Sequence, residues 1–157
     1  LGARVEAFDT RPVVAEQVQS LGGKFVEIDL GETGQTKDGY AQELTAEQLE
    51  LQRLGMKDVI SESDIVITTA QLFGRPAPRI VTADMVAAMK KGGVIVDMAV
   101  DSGGNVEGSK PDETVEIDGV SIIGVSNLPA QVSSDASQMY SSNLYNLVSE
   151  YWMNTSG

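Results

Sequence analysis

Residues Val5 to Pro12, VEAFDTRP, decide the predicted fold of this chain of 157 residues. An apolar run with β propensity ends at Asp9 and turns directly into a segment where Pro12 suits the first turn of a helix. The second strand of a dinucleotide-binding sheet presents a carboxylate to the adenosine ribose in this way. The glycine-rich phosphate loop of such sheets lies about twenty residues earlier, and only four residues precede Val5. Either the likeness is accidental or the chain is cut from a longer protein.

Apolar runs rich in β-formers predict the strands of a largely parallel sheet. They are Arg4–Phe8, Lys24–Ile28, Ile65–Thr69, Val94–Asp97 and Ser121–Val125. The middle runs are almost continuously apolar, as is typical of strands that are buried on both faces. Helical patterns alternate with them. The sequence therefore predicts a Rossmann-like α/β domain over residues 1–157, with helices on both faces of the sheet and without its first βα unit.

Local spacing predicts where the helices begin and end. Thr45 and Gln48 form a capping box, and Gly22 follows the first helical pattern as a stop signal. The predicted helices are one with Val14, Val18 and Leu21 on one face, one that follows Thr45, a short one from Thr82, and one over roughly Ser134–Trp152.

Two segments depart from the α/β alternation. Thr114–Val125 places Asp118-Gly119 between two apolar runs, which predicts a hairpin at the sheet edge. Asp29–Leu44 is long, polar and glycine-containing, and loops of that length usually act as lids or binding loops or are disordered. Its aromatic residue, Tyr40, either anchors the loop or packs over a bound ligand.

Composition excludes several classes of function. Lys and Arg total 11 against 23 Asp and Glu, a net charge of −12, which disfavours a nucleic-acid partner or an anionic membrane surface. No apolar run reaches the roughly 18 residues of a spanning helix. The chain has no Cys and no His, so it offers no thiolate nucleophile, no Ser-His-Asp triad and no Cys- or His-ligated metal. We expect neither a metal site nor a catalytic side chain, so the chemistry would belong to a bound cofactor.

The acidic end of the first strand is the first candidate cofactor-binding segment. Asp9 can accept both ribose hydroxyls of NAD, and its charge repels the 2′-phosphate of NADP. Asp9 or Thr10 can also cap the following helix, with or without a role in binding the ribose. Arg11 stands close enough in sequence to pair with a 2′-phosphate and weaken that preference.

Two loops that follow predicted strands are further candidates. Small residues at Thr69 and Ala70 would let the backbone approach an adenosine or a ribose, although the same loop suits a plain strand-to-helix connection. Asp101, with Gly103-Gly104 behind it, could face the nicotinamide, or the glycine pair could simply form a turn.

Taken together, these segments resemble the NAD(H)-binding domain of the alpha subunit of proton-translocating NAD(P) transhydrogenases, a family related to alanine dehydrogenases. The likeness covers essentially the whole chain. It is carried by the stretches FDTRPVVAEQVQSLGGKF, DGYAQEL, DIVITTAQLFGRPAPRIVTADMV, GGVIVDMAVDSGGN and NLPAQVSSDASQMYSSNL, in the family's order. In that family a phosphate loop and a further domain come upstream, so the resemblance implies an N-terminally truncated domain.

The resemblance also implies residue roles. Asp9 is similar to the ribose carboxylate, Tyr40 to the tyrosine of a mobile loop that closes on NAD(H), and Thr69, Ala70 and Gln71 to the wall beside the adenosine half. Gln71 and Phe73 depart from the family's usual residues. Asp101 is similar to the catalytic-site aspartate of alanine dehydrogenases.

The implied partners are an NADP(H)-binding beta subunit, a membrane domain that moves protons, and a second alpha subunit in a homodimer. The implied location is peripheral, on the cytoplasmic face of the inner membrane. Hydride transfer between nicotinamides needs no protein acid or base, which suits a chain without histidine. An alanine dehydrogenase-type oxidoreductase domain and a non-catalytic binding or assembly fragment stay open as alternatives.

Overall fold

The computed structural model of the protein describes residues 2–11, 13–30, 45–72 and 74–153. These residues belong to two units, Leu1–Glu62 and Ser63–Gly157, and each unit contains its own sheet. Most of the predicted loop Asp29–Leu44, with Tyr40, lies outside the described residues, as do Pro12 and Phe73.

The first unit opens with one βαβ motif. Strands β1 (Glu6–Ala7) and β2 (Lys24–Phe25) pair in parallel, and helix α1 (Val13–Ser20) connects them. The helix ends at Ser20, one residue before the predicted Leu21, and the predicted stop signal Gly22 follows with a φ of +82°, a left-handed conformation that glycine adopts without strain. Both strands are shorter than the predicted apolar runs Arg4–Phe8 and Lys24–Ile28, since only two residues of each run pair.

Helix α2 (Ala46–Glu62) begins with the predicted capping box. The Gln48 backbone N–H donates to Thr45 Oγ1 at 3.2 Å, and the Thr45 backbone N–H donates to Gln48 Oε1 at 3.0 Å. The helix packs closely on the segment after β2, since a Cβ at Gly55 would lie 2.9 Å from Ile28 Cγ2. Hydrogen bonds between residues three apart thus cap the start of this helix, and the absence of a side chain at Gly55 lets the helix approach Ile28.

The second unit contains a four-stranded sheet in the order β3-β4-β6-β5. Strands β3 (Ile65–Thr68), β4 (Val94–Asp97) and β6 (Val120–Gly124) are parallel. Strand β5 (Glu113–Ile117) is antiparallel to β6. The prediction of a parallel α/β fold with a hairpin at the edge is confirmed.

The β5–β6 hairpin turns through Asp118 and Gly119. Their φ values are +53° and +81°, and Ile117 pairs with Val120 on either side of them. Two central residues with positive φ match the twist of the flanking strands, which is why Asp-Gly is such a strong hairpin signal.

Four short or amphipathic helical segments complete the second unit. They are α3 (Ala83–Ala88), a 3₁₀ turn (Val100–Ser102), α4 (Leu128–Gln131) and α5 (Ser133–Met153). Thr82 precedes α3 as predicted, although its hydroxyl bonds the Asp84 carboxylate rather than a helix N–H. Eight hydrophobic core residues in the described part of this unit have no exposed surface; they are Val81, Met85, Val86, Ile95, Ala99, Val106, Val120 and Ile122. No helix in the described part of the chain is long and apolar enough to cross a membrane.

Candidate functional site

The carboxyl edge of the four-stranded sheet brings three loops together. Strands β3, β4 and β6 are parallel neighbours, so the segments that leave them start at one edge. In open α/β sheets this edge is where ligands bind. The predicted wall Thr69–Gln71 follows β3, and the predicted residue Asp101 follows β4.

Asp97, the last residue of β4, is fully buried at this edge. Its carboxylate accepts backbone N–H groups from Ala99, Asn105 and Val106 at 3.0, 3.0 and 3.1 Å. The Thr68 hydroxyl adds a longer contact of 3.4 Å. All four donors are neutral, so peptide dipoles rather than a cation compensate the buried carboxylate.

The glycine pair after β4 wraps around this carboxylate. Gly103 and Gly104 have φ values of +104° and +77°. A Cβ at Gly104 would lie 2.7 Å from Asp97 Oδ2, closer than any real Cβ contact, whereas a Cβ at Gly103 would find its nearest neighbour, Pro76 Cβ, at 3.8 Å. The pair thus forms a turn, and at Gly104 the turn also needs bare backbone against a side chain.

Asn105 connects the loop after β4 to the loop after β3. Its side chain is fully buried, and Nδ2 donates to the carbonyl oxygens of Ala70 at 2.9 Å and Pro78 at 2.8 Å. Two carbonyl acceptors determine which end of the amide carries the nitrogen. The predicted wall residue Ala70 is thus held by a side chain that the sequence patterns did not single out.

The predicted wall Thr69–Gln71 is largely exposed. Thr69 and Gln71 are exposed and Ala70 is half-buried, while the preceding Thr68 is buried. Gly74, with φ of +68°, turns the loop back so that Leu72 and Arg75 form a β-bridge. The loop offers two exposed side chains and some backbone at the ligand-binding edge.

Asp101 lies in the 3₁₀ turn and connects the loop after β4 to the loop after β6. Its Oδ2 accepts the backbone N–H of Asn127 at 3.1 Å. That bond and a second one from the Ser126 side chain hold the pKa of Asp101 below its usual value. Asn127 has the left-handed dihedrals φ 48° and ψ 48°, which asparagine tolerates better than most residues. The carboxylate is therefore an anion at neutral pH, at the edge where the three loops meet.

Asp9 and its neighbours lie in the first unit, beyond the end of β1. The Asp9 carboxylate accepts the Arg11 backbone N–H at 2.8 Å and two guanidinium N–H groups at 3.0 Å each. These bonds lower the pKa of Asp9, first through the Arg11 side chain and against a partial desolvation. Helix α1 begins at Val13, so neither Asp9 nor Thr10 stands directly before it. Arg11, considered as a partner for a 2′-phosphate, pairs with Asp9 in this structure.

Comparison with known proteins gives the family. Residues 1–156 match the family described as Alanine dehydrogenase/PNT, C-terminal domain. The chain belongs to this family. The resemblance to transhydrogenases in the sequence is thereby confirmed at the family level.

Individual members of the Alanine dehydrogenase/PNT family place the chain nearer to transhydrogenases. It is 45% identical over 152 residues to the NAD(P) transhydrogenase subunit alpha of Haemophilus influenzae, covering 94% of this chain and 29% of that protein. The solved transhydrogenase of Sinorhizobium meliloti superimposes with a TM-score of 0.73 at 38% identity, over 94% of this chain and 37% of that one. A solved L-alanine dehydrogenase gives a TM-score of 0.65 at 29% identity, over 87% of this chain and 34% of that one. The chain thus spans less than half the length of each of these relatives.

Proposed function

We propose that the chain is the NAD(H)-binding domain of a transhydrogenase alpha subunit, an enzyme that transfers hydride between NAD(H) and NADP(H). The observation that carries the proposal is the sequence identity of 45% to a transhydrogenase alpha subunit, in an alignment that covers 94% of this chain. The geometry supports it, because a parallel sheet presents three connected loops at its carboxyl edge.

The residues after β1 suit a dinucleotide in charge and in hydrogen-bonding groups. The pKa of Asp9 is lowered, so the carboxylate is ionised at neutral pH and has acceptor oxygens for two ribose hydroxyls. The same charge opposes a 2′-phosphate, which favours NAD(H) over NADP(H). Arg11 keeps the carboxylate oriented before the cofactor binds. Thr10 is exposed beside it and belongs to the same proposed ribose contact.

The other proposed cofactor-binding residues that the structure describes belong to the second unit. Thr69, Ala70 and Gln71 are assigned to the adenosine half and Asp101 to the nicotinamide side. Tyr40, on the loop outside the described residues, is the proposed lid. Bound NAD(H) supplies the hydride chemistry. The task of these residues is to bind, orient and exclude water, which needs no acid or base from the protein.

The rest of the complex is proposed on the likeness to transhydrogenases. An NADP(H)-binding beta subunit would hold the second nicotinamide, and a membrane domain would couple hydride transfer to proton translocation. The alpha subunit would form a homodimer and lie peripherally on the cytoplasmic face of the inner membrane. With a net charge of −12, the surface suits protein partners rather than nucleic acid.

One observation favours a second candidate, an NAD-dependent alanine dehydrogenase. Asp101 places an exposed carboxylate at the carboxyl edge, where it could contact the substrate of an amine oxidation. Adding L-alanine and NAD to the complete subunit and following NADH absorbance separates the two. NADH formation that depends on L-alanine would establish the dehydrogenase.

Calorimetric titration of the complete alpha subunit with NADH and NADPH tests the main proposal. We expect saturable NADH binding and much weaker NADPH binding. The second measurement is hydride transfer from NADH to an NADP analogue after the NADP(H)-binding subunit is added. A subunit that binds neither nucleotide, or that prefers NADPH, would refute the proposal.

A further inference from the structure

The two loops after β3 and β4 are connected through a buried carboxylate and a buried amide that no part of the proposed function uses. We infer that Asp97 and Asn105 are positioning residues that set the shape of Thr69–Gln71, the wall proposed for the adenosine half of NAD(H). This inference rests on the proposed function and assigns it two further residues.

Asp97 holds the backbone of the loop after β4 against the sheet. Strand β4 pairs with β3 on one side and β6 on the other, and the Asp97 side chain has no exposed surface. Asn105 and Val106 donate their backbone N–H groups to its Oδ2 at 3.0 and 3.1 Å. A buried carboxylate is strongly destabilising without such donors, so the backbone at Asn105 is held at a defined place relative to the strand.

Gly104 makes this close approach possible. The backbone just before Asn105 passes so near the carboxylate that a Cβ would lie 2.7 Å from Asp97 Oδ2. The neighbouring Gly103 also has a positive φ but has open space around its Cβ position beyond Pro76. The feature that distinguishes the two glycines is therefore contact with Asp97.

Asn105 connects Asp97 to the loop after β3 through hydrogen bonds of its backbone and side chain. While its N–H is bound to Asp97, its carbonyl oxygen accepts the N–H of Ile80 at 2.8 Å. Its side-chain amide donates to the carbonyls of Ala70 and Pro78. The backbone of Ala70, one residue of the proposed wall, is thus two hydrogen bonds from a strand at the centre of the sheet.

The chemistry of the amide favours a bridging role. An apolar side chain at this position would avoid the desolvation that a buried amide costs. Asn105 Oδ1 is buried and has no protein partner among the described residues, so the amide's contribution lies in its two N–H groups. Those groups fix the distance between two loops, which apolar packing would leave adjustable.

The experiment uses Asn105→Ala and Gly104→Ala in the complete alpha subunit, with Gly103→Ala as the matched control. NADH affinity is measured by calorimetry well below the melting temperature. We expect roughly tenfold weaker NADH binding for Asn105→Ala, which removes the two hydrogen bonds that hold the wall, and for Gly104→Ala, whose Cβ would displace the backbone from Asp97. The control should change NADH affinity by less than about threefold. The KM for NADH should rise while kcat at saturating NADH stays within about twofold, because the wall contacts ground state and transition state alike.

Hydrogen exchange without nucleotide provides the independent measurement. The amide of Ala77, which donates to Ser102 at 2.7 Å, lies in the loop that Asn105 holds and should exchange faster in Asn105→Ala than in the wild type. Unchanged exchange together with wild-type NADH affinity in Asn105→Ala overturns this inference alone. A melting temperature that falls with no change in KM for NADH also overturns it, since that is the result of a purely structural role. A wild-type subunit that binds no NADH overturns the proposed function as well.

Discussion

Two aspartates at the carboxyl ends of parallel strands have opposite surroundings. Asp97 ends β4, is fully buried and is compensated by backbone N–H groups. Asp9 follows β1, keeps 28% of its side chain exposed and is paired with the guanidinium of Arg11, whose side chain is 64% exposed. The bonds to Asp97 come from buried backbone and fix the position of a loop, whereas the bonds to Asp9 come from one neighbouring residue at the surface, where a ligand can compete for the carboxylate.

The largest expected effect tests the structural half of this comparison. Asp97→Asn replaces one acceptor oxygen by an NH2 group that faces backbone N–H donors, which leaves buried donors unpaired. We expect the free energy of unfolding to fall by about 3 kcal/mol, from unpaired buried groups that cost roughly 1–3 kcal/mol each. Urea unfolding monitored by circular dichroism measures it. Glu116→Gln, an exposed change of the same kind on β5, is the control and should stay within about 0.5 kcal/mol.

The next largest expected effect tests whether Asp9 binds the nucleotide. Asp9→Asn should weaken NADH binding by about tenfold, or 1.4 kcal/mol, and narrow the preference for NADH over NADPH because the like charge is removed. Its stability should change little, since the side chain is partly exposed and paired at the surface. Glu16→Gln on α1 provides the charge control. Equal affinity for the two nucleotides in the unmutated subunit would contradict the assignment of Asp9.

A smaller effect sharpens the account of Asp97. The Thr68 hydroxyl approaches Asp97 at 3.4 Å, longer than the three backbone bonds and correspondingly weaker. Thr68→Val should lower the free energy of unfolding by about 1 kcal/mol or less, the range of a single neutral hydrogen bond. Thr68→Ser keeps the hydroxyl and is the partner variant. A loss in Thr68→Val as large as that of Asp97→Asn would mean that the hydroxyl, rather than the peptide dipoles, stabilises the carboxylate.

The smallest effect concerns pH and the Asp9–Arg11 pair. Because the pKa of Asp9 is lower in the folded protein than in the unfolded chain, the pair contributes stability above the unfolded pKa and loses it as the pH falls through the folded pKa. Arg11→Gln should bring the pKa of Asp9 back toward its usual value, which NMR titration of the Asp9 carboxyl carbon measures. The variant should differ from wild type in stability near neutral pH and converge with it in acid. An unchanged Asp9 titration in Arg11→Gln would show that the ion pair does not form in solution.

Short-range patterns predicted the features that depend on neighbours in sequence. Thr45 and Gln48 are three residues apart, and their reciprocal bonds form within one helical turn. Asp118-Gly119 turns the hairpin through dihedrals that these two residues adopt readily. The strands β3, β4 and β6 were predicted within one residue of their observed bounds, because continuous apolar runs of β-formers are typical of parallel strands. The expectation of burial on both faces was wrong for β3, where Ile65 and Ile67 are 65% and 62% exposed.

The candidate site was predicted in outline only. The sequence patterns placed Thr69–Gln71 and Asp101 after the correct strands, yet did not single out Asp97 or Asn105. The available signal was an aspartate at the end of an apolar strand followed within eight residues by Gly-Gly-Asn. That pattern is equally typical of an exposed turn, and nothing local tells the two apart.

The sequence by itself determined the alternation of strands and helices, the hairpin and the family. Hydrophobic periodicity, turn residues and similarity to relatives over the whole chain can all be recognised without a structure. Only the tertiary structure decided what the charged and amide side chains do. Asp97 contacts Thr68 from 29 residues away and Asn105 contacts Ala70 from 35, while Arg11 pairs with Asp9. Burial and long-range hydrogen bonding set such roles, and both depend on which strands become neighbours once the chain has folded.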